Sequence, residues 1–166
     1  MSLLAGLQAG VMGLPFMPVR GIVGTDYIKV RPDFNVIENP YGEDRVVLVP
    51  PLRPAVSLLH SLAADTEGNV LVDAFDNDSL LARASHRVFA STEKILPQNK
   101  LKALPGVLIP ATYIQGVIPL AGGGKPTRCR GSYPFEEKEI LAYLEAARQE
   151  EAFQEYLQNY LREGEG

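Results

Sequence analysis

The stretch LAGGGKPTRC, Leu120 to Cys129, gathers three glycines, a lysine and a threonine, the residue types of a loop that cradles phosphates. A phosphate loop of the NTPase kind runs from its Gly-Lys-Ser/Thr directly into a helix, whose free N–H groups and dipole hold the anion. Here Pro126 separates Lys125 from Thr127, and the next helical pattern begins only near Phe135. A residue before proline is pushed toward extended geometry, so Lys125 continues a loop and the NTPase reading fails. Gly122, Gly123 and Gly124 still permit unusual backbone angles and close approach of another group. Lys125 then either meets a phosphate or carboxylate or stands in solvent.

Other residues carry chemistry singly. Arg20 stands between Val19 and Gly21 in an otherwise apolar stretch, where a guanidinium can grip a carboxylate in bidentate fashion or bridge to a partner chain. Glu93, in ASTEKI, falls at the end of an apolar run that reads as a buried strand; tethering a loop is its structural alternative. His60 and His86 are far apart in sequence and read as hydrogen-bonded structural residues, so no metal is expected. Asp65, Gly68 and Asn69 have the composition of a turn, with glycine for left-handed geometry and aspartate to bond the turn backbone.

These residues need a folded frame, and 166 residues with 46% hydrophobic content suffice for one. A net charge of −4 with scattered lysines and arginines offers no basic surface, which argues against nucleic acid as a partner. One cysteine, Cys129, excludes an intrachain disulfide, and the chain is expected to be cytoplasmic. Residues 1–19 carry no charged side chain, yet Gly13, Pro15 and Pro18 interrupt them and no basic leader precedes them. A buried helix over 2–12 followed by a Pro-rich loop fits this better than a signal peptide or a membrane span. So apolar a start predicts that a partner chain or a second copy covers it.

Along the chain, Pro18 to Arg45 is too mixed and too punctuated for one regular element. Val46 to Val49 reads as a fully buried strand, followed by an apolar run through AVSLLHSLAAD, a TEGN turn and the strand VLVDAF. Asp78 to Ser85 gives a short helix, HRVFAST a strand, and GVLIPATYIQGVIPL one or two more, broken at Pro110. Ile140, Leu144 and Ala147 share one helical face and Phe153, Leu157 and Leu161 another, with glutamates at the start suited to the helix dipole. Short strands alternating with few helices indicate an α/β domain whose sheet faces exceed its helical cover.

Four segments, in order, together resemble the A (alpha) subunit of family I CoA-transferases of the glutaconate or 3-oxoacid type. They are GLPFMPVRGIVGTD from Gly13, IENPYGEDRVVLVPPLRPAVSLLHSLAADTEGNV from Ile37, LLARASHRVFASTEKI from Leu80, and PLAGGGKPTRCRGSYPFEEKEILAYLEAA from Pro119. The resemblance implies a partial open α/β/α sandwich with C-terminal helices, as one A-subunit-like domain over 1–166 with a frayed tail at 163–166. The family's A subunit has an N-terminal half before the GLPF segment, with a glycine-rich loop, and nothing here corresponds to it.

By the same resemblance the activity is transfer of CoA between an acyl-CoA and a carboxylic acid. A glutamate carboxylate attacks the thioester and passes through a glutamyl-CoA intermediate. In the family that glutamate lies on the B subunit, so this chain is expected to hold no nucleophile. Glu38, whose Glu-Asn-X-X-Gly mimics a nucleophile turn, reads as solvated, and Glu93 is the weak catalytic candidate. Arg20 and Gly21, with Gly122, Gly123, Gly124 and Lys125, are the candidate substrate-binding residues. Coenzyme A enters as substrate, without a metal. The expected partner in an oligomer is the CoA-transferase B subunit, away from membranes; the N-terminal half is a separate A-type piece, a part cut from the gene or a lost domain, three alternatives that the resemblance leaves open. Two alternatives are a non-catalytic scaffold remnant of the fold and one chain of a CoA-thioester hydrolase.

Overall fold

The computed structural model describes residues 2–163, and the tail from residue 164 onward lies outside them. The chain divides after Leu120 into two compact units.

The first unit opens with α1 (Ser2–Met12), the expected apolar helix. Ala5, Leu7 and Ala9 are buried, so much of its apolar surface is covered within the chain, while Leu3 and Met12 remain exposed. Its glycines serve packing. The Leu52 N–H donates to the Gly6 carbonyl at 2.8 Å, and a Cβ on Gly10 would lie 2.4 Å from the Leu52 carbonyl oxygen. The extended PPLRP segment can therefore lie directly on the helix.

Three strands follow as an antiparallel sheet: β1 (Met17–Val19), β2 (Asn35–Glu38) and β3 (Arg45–Val49), with β3 in the centre. A short 3₁₀ turn, Asp26–Val30, joins the first two. The segment read as irregular thus supplies two strands. Each is too short for its alternation to show until β3 lies between them. Met17, Val19, Val47 and Val49 face a core shared with Ala5 and Phe34. Pro18, Ile37, Val46 and Leu48 take the opposite face, by the two-residue period of the registers Pro18↔Leu48 and Ile37↔Val46. Leu48 is only half-buried, so the four-residue apolar run belongs to a sheet with one open face.

A parallel sheet follows, of β4 (Ser57–Ser61), β7 (Val88–Thr92) and β9 (Gly116–Pro119) in the order β4-β7-β9. Between its strands run β5 (Ala63–Ala64), β6 (Val70–Val72) and β8 (Val107–Ile109), paired antiparallel as β5-β6-β8, with α2 (Asp78–Ala84) and the short α3 (Gln98–Leu101). Leu59, Val70, Val72, Val88, Ala90 and Ile109 form the main core beside Ala82 of α2. The other face of the parallel sheet carries Leu58 at 77% and Ile118 at 61% exposure, which matches the expected shortage of helical cover.

The second unit contains α4 (Glu137–Ala146) and α5 (Glu150–Glu163), so the two apolar series, which fit either two helices or a change of packing partner, belong to two helices. Tyr143 meets Phe153 and Tyr156 edge-on, both at 5.8 Å between ring centroids. The Tyr156 hydroxyl donates to Glu139 at 2.7 Å, and this bond, with burial and the carboxylate's charge, pushes the phenol up to about 12. Among the described residues no helix is long and apolar enough to cross a membrane.

Candidate substrate-binding site

Arg20 follows the last residue of β1 and opens a turn in which the Val23 N–H donates to its carbonyl at 3.2 Å. Gly21 is the next, exposed residue of that turn. Beside them the open face of the antiparallel sheet forms a cleft of about 430 Å³, with Phe16, Pro18, Ile37, Val46 and Leu48 as its apolar wall and Arg20 as the charged group on its lining. Tyr41, 97% exposed, stands at the same cleft. A cleft of this composition suits a small ligand with a hydrocarbon body and an anionic end.

The guanidinium is oriented. Asp44 Oδ2 lies 2.8 Å from Arg20 Nε, and Asp44 Oδ1 accepts the Asn39 side-chain N–H at 2.7 Å. Asn39 is itself held, its backbone N–H donating to the Asp44 carbonyl at 2.9 Å and its Oδ1 accepting the Tyr41 N–H at 3.0 Å. The Asn39 hydrogen bond above all, joined by the charge of Arg20, holds the Asp44 carboxyl below the usual carboxylate range against the push of burial. Sequence reading missed Asn39 and Asp44. Their signal was the NPYGED turn itself, an Asn whose side chain caps the turn two residues on. Glu38 is exposed in β2 opposite Arg45.

Gly122 to Lys125 lie in the second unit and form a self-supported turn. Gly122 has φ of 75°, which only glycine adopts freely, and its carbonyl accepts the Lys125 N–H at 3.0 Å. The Gly124 N–H donates to the Tyr133 hydroxyl at 2.9 Å, and the Thr127 hydroxyl donates to the Gly124 carbonyl at 2.5 Å. Lys125 Nζ lies 2.6 Å from Glu136 Oε1. The Lys125–Pro126 peptide is cis, and no helix starts at the loop.

Glu93 belongs to neither group. It follows β7, and its Oε1 lies 2.7 Å from His60 Nε2, while His60 Nδ1 meets the Ser91 hydroxyl at 2.8 Å. In a neutral ring the carboxylate, which only accepts, keeps the proton on Nε2 and leaves Nδ1 to accept from Ser91. His60 is thus the hydrogen-bonded residue the sequence suggested. His86 is exposed in a different loop. Asp65, 3% exposed, accepts the N–H groups of Glu67 and Asn69 and the Asn69 side chain. Asn69 Oδ1 in turn accepts the Ala111 N–H at 3.0 Å, tying the turn to the end of β8.

No family model matches the chain. It is 30% identical over 156 residues to the A-type subunit of the 3-oxoadipate CoA-transferase of Pseudomonas knackmussii, a match that covers 93% of this chain and 55% of that protein. The chain is CoA-transferase A-subunit-like. The fold agrees. The A-subunit-like chain superposes on the glutaconate coenzyme A-transferase of Acidaminococcus fermentans with a TM-score of 0.82 at 23% identity, over 95% of this chain and 55% of that one. It superposes on the decarboxylase AibA/AibB with a TM-score of 0.80 at 30% identity, over 97% of this chain and 59% of that one. The chain therefore spans little more than half the length of these relatives.

Proposed function

We propose that the chain supplies the acid-binding part of a cytoplasmic CoA-transferase that works with a B subunit, together with additional A-type chain. The observation that carries this is Arg20, held by Asp44 on the lining of an apolar cleft, within the segment that matches CoA-transferase A-type chains. The wall takes the hydrocarbon body of the acid and the guanidinium its carboxylate, by charge-assisted hydrogen bonds.

In this reading the nucleophile is a glutamate of the B subunit. Its carboxylate oxygen attacks the thioester carbonyl, the carbon–sulfur bond breaks, and CoA leaves as the thiolate, which gives the mixed anhydride of the donor acid and the glutamate. The thiolate then attacks the glutamyl carbonyl, releasing the donor acid and leaving glutamyl-CoA, which the acceptor acid resolves by the reverse steps. Arg20 lowers the cost of bringing each anionic acid next to the reacting carboxylate. The Gly122 to Lys125 loop contributes at the CoA or at the boundary between chains, and Glu93, hydrogen-bonded to His60, supports the sheet rather than attacking substrate.

The test is to purify the chain from its host with whatever accompanies it, assay CoA exchange between an acyl-CoA and free acids, and locate the CoA adduct by mass spectrometry. Exchange by the complex only, with the adduct on a partner glutamate, is the expected result. Transfer by the purified chain alone, or an adduct on Glu93, would sink the proposal.

A further inference from the structure

A guanidinium offers a carboxylate two bidentate edges: the side edge made by Nε and one Nη, and the end edge made by the two Nη groups. Asp44 Oδ2 occupies Nε of Arg20 at 2.8 Å. Among the described residues no hydrogen bond or ion pair to either Nη is found, so the end edge is open. The pair is well exposed, and exposed ion pairs add little to stability, so stability does not account for so ordered a support behind it. That support runs from the Tyr41 N–H through Asn39 to Asp44, with steps of 3.0 and 2.7 Å.

We infer that Asp44, buttressed by Asn39, is a positioning residue that fixes the Arg20 guanidinium so that a ligand carboxylate in the cleft is met end-on. The inference rests on the reading of Arg20 as the acid anchor. It adds that the orientation of the anchor, and not its charge alone, sets affinity. Without Asp44 the side chain keeps its charge but samples many rotamers, and ordering it falls to the ligand. The carboxylate of Asp44 is well suited to the task because the Asn39 hydrogen bond and the Arg20 charge keep it ionised.

The probe is hexanoate, a carboxylate with an apolar tail, titrated into the full chain labelled with ¹⁵N-arginine. Affinity is followed by chemical shift and the Arg20 Nε–H signal by its exchange with water. Asp44→Asn is expected to weaken hexanoate about tenfold, which the loss of one charge-assisted, orienting contact can account for, and to speed exchange at Nε–H while leaving Tm unchanged. Asn39→Ala, which keeps the Asp44 charge, is expected to do the same more weakly, and it stands in if Asp44→Asn disturbs the turn. If both variants bind hexanoate like the parent while Arg20→Gln does not bind, the positioning role is overturned and the anchor reading stands. If Arg20→Gln binds as well as the parent, or the parent shows no shift with hexanoate, the anchor reading fails and this inference with it.

Discussion

His60 Nε2 and Glu93 Oε1 meet at 2.7 Å across the neighbouring parallel strands β4 and β7, both side chains largely buried. The contact closes a line of hydrogen bonds through Ser91 at the carboxyl ends of the two strands. Glu93→Ala would take this acceptor from the His60 ring, at a cost of about 1–3 kcal/mol for an unsatisfied polar group. Glu93→Gln, which retains an acceptor, should cost less. Urea denaturation of the two variants checks the order, and equal stability of Glu93→Ala and the parent would show that the contact contributes nothing.

For the complex with its partner chains, Arg20→Gln should lower kcat/KM for acid-dependent CoA exchange by about a hundredfold, since two charge-assisted hydrogen bonds are lost at once. Thermal stability should hardly change, because Arg20 is exposed and its ion pair is a surface one. A variant with full activity would remove Arg20 from the site.

Asp65 makes stability depend on acid. Burial alone would push its carboxyl up, but hydrogen bonds from the Asn69 side chain and from the backbone N–H groups of Asn69, Glu67 and Gly68 outweigh that and hold it below the ordinary value. A carboxyl depressed on folding contributes stability that is complete above its unfolded pKa of about 3.9 and disappears as pH falls through the folded value. Denaturation midpoints should therefore drop below about pH 4, and Asp65→Asn should flatten that drop while lowering stability at pH 7.

Tyr156 makes the opposite prediction at the alkaline end. With its phenol pushed up to about 12 by the hydrogen bond to Glu139, it favours the folded state below an unfolded pKa of about 10, and that contribution is lost as pH rises through the folded value. Spectrophotometric titration of the seven tyrosines should show one late component, absent from Tyr156→Phe. An unchanged titration curve in the variant would contradict the assignment.

Gly10→Ala tests the docking of α1. The added methyl would stand 2.4 Å from the Leu52 carbonyl oxygen, backbone that cannot move without shifting the PPLRP segment. Overpacking of this kind costs about 1–3 kcal/mol. Gly13→Ala is a less informative control, since Gly13 has φ of 68° and is strained by any side chain although the space around it is open.

Much of this was legible in the chain itself. Local pattern marked α1, β3, β7 and the C-terminal helical region because each runs long enough, or is apolar enough, for its own pattern to show. Pro126 was sufficient to remove the NTPase reading of the glycine loop, a local steric rule that needs no tertiary context. The isolated charge of Arg20 marked it as a candidate, and four ordered segments pointed to the A-type CoA-transferase chains, to one of which the chain is 30% identical.

Tertiary structure alone decided the rest, because it depends on contacts between residues distant in sequence. Strands of three or four residues, β1 and β2, exist as strands only because β3 supplies the missing hydrogen-bond partners on both sides. His60 and Glu93 are 33 positions apart, and only the parallel register of β4 and β7 brings them together. Asp44 is 24 residues from Arg20, and antiparallel pairing of β1 with β3 brings their surroundings together. Types and local rules determined which residues were capable of chemistry. Long-range pairing determined which side chain each of them meets, and hence that Arg20 is held by Asp44 beside an apolar cleft while Glu93 is bound to His60.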